Sequence, residues 1–278
     1  MPAFDLGVII HLSEQDDLFL QVANCGFKTC QLQCWNPELY TEEMTRKVLR
    51  QSKNSGVSIA AFWAGWSGPA VWDFTQGPLT LGLVPNEWRA QRVKELKEGA
   101  DFAESIGAPA IITHLGFIPE NPNDPTYNSL LEAVRDLTEY CKKKNLGFWF
   151  ESGQETPVTL LRLIEDLNMP NTGINFDTAN LILYGKANSC DALDVLGQYV
   201  RNLHAKDGLY PTNGRELGIE VPLGQGRAMM PEIIKKLAKL GFDGEIIIER
   251  EIVGEQQQRD IKEARDYLQT LINRLSII

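Results

Sequence analysis

A (β/α)8 barrel is the fold class this 278-residue sequence predicts. Three observations predict it. Eight short apolar runs recur along the chain, each is followed by a helical pattern of apolar residues, and glycines stand at junctions where a helix stops and a strand begins. The length suits one such barrel with insertions. No linker, low-complexity tract or shift in composition divides residues 1–278, so they read as a single domain.

The runs are, in order, "LGVII" (6–10), "TCQLQC" (29–34), "SIAAFWA" (58–64), "AIITHLG" (110–116), "GFWFES" (147–152), "TGINFD" (172–177), "VRNLHAKD" (200–207) and "EIIIERE" (245–251). Between them, apolar residues recur at three- and four-residue spacing. The clearest case is 86–107, where Ala90, Val93, Leu96, Ala100, Ala103 and Ile106 form one stripe that Gly107 stops. "SLLEAVRDLTEYCKKKN", "TPVTLLRLIEDLN", "MPEIIKKLAKLG" and "RDIKEARDYLQTLINRL" behave alike. Strands begin just after a glycine in "NSGVSIAA", "IGAPAII", "KNLGFWF" and "LGFDGEIII", the expected chemistry of a helix-to-strand loop. A doubly wound open sheet is the alternative. It normally shows a glycine-rich phosphate turn after its first strand, whereas "IIHLSEQDD" has no glycine. Two loops are long, 65–85 and 207–228, and both follow strands. In a barrel such loops lie on the C-terminal face, where active sites sit.

Composition excludes several classes of function. The net charge is −10 with no basic run beyond "CKKKN" at 141–145, which reads as the solvated end of a helix, so no nucleic-acid partner is expected. No stretch of eighteen apolar residues occurs, so no membrane span is expected. "MPAFDLGVII" lacks a basic segment and a small-residue cleavage site, so no signal peptide is read. Five cysteines, at 25, 30, 34, 141 and 190, form no CxxC pair. They suggest reduced thiols in a cytoplasm-like compartment and no thiolate zinc site. An acidic chain of this kind suits a small-molecule substrate.

Four strand ends carry matching chemistry. The fifth run ends in Glu151, the sixth in Asp177, the seventh near His204 and the eighth in Glu249. Each closes a mostly apolar run, where a charge is costly unless paired or bound to a metal. On consecutive strands the four converge at the barrel mouth, and mixed oxygen and nitrogen ligands suit Mn²⁺, Mg²⁺, Co²⁺ or Zn²⁺. Singly, each has an ordinary alternative: Asp177 before "TAN" as a helix cap, and His204 as a hydrogen-bonded structural histidine. Glu251 shares the parity of Glu249, which is preferred as the first acid after the apolar run.

With these residues in place, the chain resembles the sugar phosphate isomerase/epimerase group of the xylose isomerase-like TIM barrels. The resemblance covers nearly the whole chain. It is carried by "THLG" (113–116), "FESGQET" (150–156), "NFDTAN" (175–180), "HAKD" (204–207), "VPLGQGR" (221–227) and "IIIERE" (246–251). Members include ketose 3-epimerases acting on tagatose or psicose, pentulose-5-phosphate 3-epimerases and inosose dehydratases. The resemblance implies one divalent metal, Mn²⁺ first among the candidates, held by Glu151, Asp177, His204 and Glu249. It implies isomerisation or epimerisation of a ketose or ketose phosphate through an enediolate, with Glu151 and Glu249 moving the proton on opposite faces of the substrate. A lyase or dehydratase acting on a keto-sugar, inosose or 3-keto-glycoside shares the same parts, and a non-catalytic sugar-binding barrel is a third reading. Epimerases of free ketoses tend to carry a histidine shortly after the strand-six aspartate. Here "DTANLILYG" has none, which gives Asn180 the substrate-hydroxyl role. The nuclease branch needs a three-zinc site rich in histidine, and His11, His114 and His204 cannot supply it.

Further candidates for substrate contact are His114, at the end of the fourth run, Lys206, two residues past His204, and Gln154 and Asn180, just past ligands. Trp35 and Trp63, with Trp66 behind them, follow the second and third strands, where aromatic faces suit sugar C–H surfaces. His11 ends the first strand. "GQGR" (224–227) before a helix is a candidate phosphate turn. A homodimer or homotetramer is compatible with the tryptophan-bearing loops.

Overall fold

A computed structural model describes residues 4–14 and 17–275; Gln15 and Asp16 of the glycine-free first turn lie outside the described residues, as do both chain ends, including Met1–Ala3 of the segment read for a signal peptide. Eight parallel strands close a barrel. They are β1 (Leu6–His11), β2 (Thr29–Cys34), β3 (Ser58–Ala64), β4 (Ala110–Thr113), β5 (Gly147–Glu151), β6 (Thr172–Asp177), β7 (Val200–Ala205) and, after a hairpin of β8 (Asp207–Leu209) and β9 (Ile219–Val221), β10 (Glu245–Ile248). Their order around the barrel is β1-β10-β7-β6-β5-β4-β3-β2. The expected runs fall on these strands. The fourth and eighth are shorter than the apolar text suggests, so His114 and Glu249 stand one residue beyond their strands.

The outer ring contains α1 (Leu18–Asn24), α2 (Glu42–Ser55), α4 (Asn86–Ser105), α5 (Pro125–Lys143), α6 (Pro157–Leu167), α8 (Ser189–Leu196), α9 (Met230–Leu240) and α10 (Glu255–Leu275), with single-turn α3 (Gly77–Thr80) and α7 (Asn180–Leu183) in the loops. Starts and stops follow from local chemistry. Thr41 Oγ1 accepts the Met44 N–H at 3.1 Å to open α2, and Gly56 closes it at φ 72°. Thr156 caps α6 ahead of Pro157, whose missing N–H costs nothing in a first turn. Leucine, isoleucine, valine and phenylalanine from strands and helices merge into one main core. Among the described residues, no helix is long and apolar enough to cross a membrane.

The buried face of α4 differs from the expected stripe. Ala90 is exposed and Val93 half-buried, while Arg89 and Arg92 are buried in their place. The reason is the long loop after β3. Arg92 is fully buried and donates to the carbonyls of Thr80 (2.7 Å), Gly82 (2.6 Å) and Pro69 (2.9 Å), beneath the ring of Trp66. Arg89 does the same for Leu83 and Val84, at 2.6 Å each. Loop carbonyls buried without donors would be costly, so the helix face is given to guanidinium groups.

Candidate metal centre

The ends of β5, β6, β7 and β10 bring Glu151, Asp177, His204 and Glu249 together, each with one ligand-type atom, all within 4.8 Å of one another. Register explains the convergence. Asp177 lies opposite His204 across β6–β7, and the Glu249 N–H donates to Ala205 O at 3.3 Å, which carries Glu249 alongside the end of β7. His204 Nδ1 faces Glu151 Oε1 at 3.1 Å, Glu249 Oε2 at 3.2 Å and Asp177 Oδ2 at 3.6 Å. Glu251, the competing acid, points elsewhere: its carboxylate is 59% exposed and pairs with Lys206 Nζ at 2.7 Å.

These residues fit a divalent ion. Three carboxylates and one imidazole nitrogen make a hard, mixed donor set. Asp177 spends Oδ1 on the N–H groups of Ala179 (2.7 Å) and Asn180 (2.6 Å), while Oδ2 is buried with no hydrogen-bond donor. Its charged neighbours, His204 Nδ1 at 3.6 Å and Lys206 Nζ at 3.9 Å, stand beyond hydrogen-bond reach, which leaves that oxygen open to a cation. Burial works against a charge on His204, but Glu151 and Glu249 outweigh it and hold the imidazole well above its ordinary range. Burial likewise opposes the Glu151 carboxylate, and His114 with His204 outweighs it, keeping that group below the usual range.

A polar layer lies directly beneath. His204 Nε2 meets Gln31 Oε1 at 3.0 Å, and Asn175 Nδ2 approaches the same nitrogen at 3.0 Å. Asn202 Nδ2 donates to Asn175 Oδ1 at 2.5 Å and to Gln31 Oε1 at 3.1 Å. Nδ1 is turned to the carboxylates and Nε2 to Gln31 Oε1, the kind of outer partner that orients a ligating imidazole. Sequence reasoning missed Gln31, Asn175 and Asn202. The available signal was parity, since Asn175 and Asn202 stand two residues before Asp177 and His204 and share their face of the sheet.

The other candidates fall into distinct places. His114 is buried with Nε2 3.5 Å from Glu151 Oε1. Lys206 is buried between Asn180 Oδ1 (3.2 Å) and Glu249 Oε2 (3.3 Å). The Asn180 side-chain amide also donates to Glu151 Oε1 at 3.4 Å. Trp63 is buried and its indole N–H donates to Glu151 Oε2, so it orients a carboxylate as well as walling the site. Trp35 lies outside it with a partly exposed ring, and Trp66 is buried behind. Gln154 is buried but does not line the adjoining cavity, which His11, Trp35, Trp63 and His114 do. The GQGR turn is already filled. The N–H groups of Gly224, Gly226 and Ala228 all donate to the Asp207 carboxylate at 2.9 Å, so an internal anion occupies the place a phosphate would take.

Glu155 was also missed. Burial pushes its carboxyl up to about 8, with its own backbone N–H, the Gly153 N–H at 3.3 Å and the charge of Lys186 compensating only in part. The folded chain therefore keeps a proton that the unfolded chain loses above 4.5. Stability should fall as pH rises from about 4.5 to about 8, by roughly 3–5 kcal/mol from this group. Urea unfolding of Glu155→Gln should show a flatter pH profile and greater stability near pH 8 than the parent. Parallel profiles would refute it.

Comparison with known proteins places the chain. The profile of the xylose isomerase-like TIM barrel matches residues 19–271. The chain belongs to this family. The solved structure of a xylose isomerase domain protein from Planctomyces limnophilus is 33% identical, with 100% of this chain and 99% of that one covered and a TM-score of 0.92. A D-tagatose 3-epimerase-like protein shares the fold at 18% identity and TM-score 0.78, over 98% of each chain. An uncharacterized protein of Methanocaldococcus jannaschii is 25% identical over 172 residues, a match spanning 58% of this chain and 57% of that protein's length.

Proposed function

We propose that this family member is a divalent-metal-dependent isomerase or epimerase of a ketose or ketose phosphate, acting through an enediolate. One observation carries the reading: of the four clustered residues, Glu151 and Glu249 alone also line the cavity beside the cluster. Asp177 and His204 would serve the ion only, whereas the two glutamates would serve both the ion and the substrate. A divalent ion held by the four, Mn²⁺ or a similar cation, supplies a Lewis acid for a carbonyl and its neighbouring hydroxyl.

The chain's own residues do the rest. Glu151 stands on β5 and Glu249 follows β10, with β6 and β7 between them in the barrel, so they reach the substrate from different directions. One carboxylate takes the proton next to the carbonyl, and the other returns one to the opposite face. Trp63 fixes Glu151 through Oε2, Lys206 stands beside Glu249, and Asn180 touches both Glu151 and Lys206. The same arrangement would expel a leaving group from a substrate that carries one beside the enolate, which makes it a lyase.

Metal-reconstituted protein incubated in D₂O with ketoses, ketose phosphates, inososes and keto-glycosides tests this directly. Deuterium at the carbon next to the carbonyl, with a new epimer or isomer, is expected for one class. Deuterium with loss of water or an aglycone moves the reaction to lyase and overturns the epimerase assignment. No incorporation from any class, with metal bound, overturns the enediolate altogether.

A further inference from the structure

The two glutamates that face the cavity are held in different ways. Glu151 is the last residue of β5, pairs across the sheet with Asn175, and has its carboxylate fixed by the Trp63 indole. Glu249 lies beyond β10, whose pairing with β7 stops at Ile248 opposite Ala205. From Glu249 to Gly254 the chain belongs to no strand or helix, yet Glu249, Arg250, Glu251, Ile252 and Val253 all line the cavity. The Glu249 N–H reaches Ala205 O at 3.3 Å, a long contact for a residue with a task. A reacting group has to stay within about half an ångström of its working position, so contacts from outside the barrel sheet have to hold this segment.

Glu220 supplies them from one side. It is the middle residue of β9, opposite Gly208 in the hairpin. Both of its carboxylate oxygens accept the Glu251 N–H at 3.1 Å, and Oε2 forms an ion pair with Arg250 at 3.0 Å. From the other side, α10 grips the same arginine. Asp260 Oδ2 accepts from Arg250 Nε at 2.7 Å, and the Gln257 side-chain amide donates to the Arg250 carbonyl at 2.8 Å. The two residues after Glu249 are thus clamped between hairpin and helix. Side chains close the circuit: Lys206 Nζ meets Glu251 Oε2 at 2.7 Å and Glu249 Oε2 at 3.3 Å.

Holding the hairpin down does not account for Glu220. The hairpin is already tied to the α7 side of the barrel, where Tyr210 Oη donates to Gly185 O at 2.7 Å and the Gly218 N–H to Leu183 O at 2.8 Å. Nor is the ion pair a strong source of stability. Its side chains are 11% and 12% exposed, and two charges so far out of water regain little beyond what their desolvation costs. What such a pair adds is a defined geometry, here imposed on the residues that follow Glu249.

We infer that Glu220 is a positioning residue that sets Glu249 through Arg250 and Glu251, so that the β8–β9 hairpin serves one of the two glutamates and not the other. The inference rests on the metal and two-base reading above. Manganese titration by calorimetry and α-proton exchange in D₂O test it on Glu220→Ala, Glu220→Gln and Tyr210→Phe, the last cutting the hairpin's other tether. Glu220→Ala should weaken manganese binding about tenfold, the low end for an outer partner. Glu220→Gln should recover part of this, because its amide oxygen still accepts the Glu251 N–H. Tyr210→Phe should stay within about twofold of the parent. At saturating manganese, Glu220→Ala should slow exchange at least about tenfold for the epimer that Glu249→Gln fails to exchange, and leave the other epimer within about twofold. A merely structural role would slow both epimers together, and Tyr210→Phe would do the same; either result, or no slowing at all, overturns the assignment. A parent that binds manganese but exchanges no proton removes the enediolate reading, and the affinities then decide: a tenfold loss partly recovered in Glu220→Gln upholds the clamp, and unchanged affinity overturns it. A parent that binds no manganese overturns both.

Discussion

Glu151→Gln should lower turnover at least about a thousandfold and split the two halves of the reaction. The substitution keeps shape and a hydrogen-bonding terminus for Trp63, but removes the charge that accepts a proton. If Glu151 and Glu249 serve opposite faces, each variant retains the base for one epimer. Glu151→Gln should then exchange the α-proton of one epimer with solvent while failing to convert it, and Glu249→Gln should exchange the proton of the other. KM should move far less than kcat, because the lost interaction belongs to the transition state. Both variants must first be shown to hold metal, since both residues are also ligand candidates. Equal loss of exchange from both epimers in both metal-loaded variants would exclude the two-base scheme. Full turnover by Glu151→Gln would remove Glu151 from catalysis.

The barrel was legible because its signals are local and repeated. Each strand is a short apolar run, the helices between them carry apolar residues at helical spacing, and several junctions have a capping side chain or a glycine, as at Thr41 and Gly56. The four clustered residues were legible for a related reason: a charge at the end of an apolar run stands out against its neighbours. What lay deeper was harder to see. Gln31, Asn175 and Asn202 carry no charge, and their meaning depends on their being one pleat below Asp177 and His204, across three strands. Arg89 and Arg92 look like the solvated side of α4 until the loop after β3 is folded against them. The β8–β9 hairpin has no tight turn to announce it, since nine residues separate its strands. Parity could not separate Glu249 from Glu251; in the fold Glu249 joins the cluster, while Glu251 is 59% exposed and pairs with the buried Lys206.

Asp177→Asn separates a metal site from a buried polar cluster that merely packs. The asparagine Oδ1 can still accept from the N–H groups of Ala179 and Asn180, so the turn into α7 keeps its cap. At Oδ2, however, an amide N–H₂ replaces the oxygen that lacks a donor. If the cluster is structural, losing this carboxylate removes a partner of His204 at 3.6 Å and of Lys206 at 3.9 Å, and the metal-free protein should melt at a lower temperature. If the cluster also holds an ion, that metal-free loss is joined by the loss of manganese stabilisation. The parent should gain about 2.7 kcal/mol of stability at a manganese concentration a hundredfold above its Kd, because only the folded chain presents the site. The variant should show almost none of that gain, with affinity down at least about a hundredfold, beyond the loss expected for an outer partner such as Gln31. A destabilised metal-free variant with an intact manganese gain would return Asp177 to the role of an ordinary helix cap.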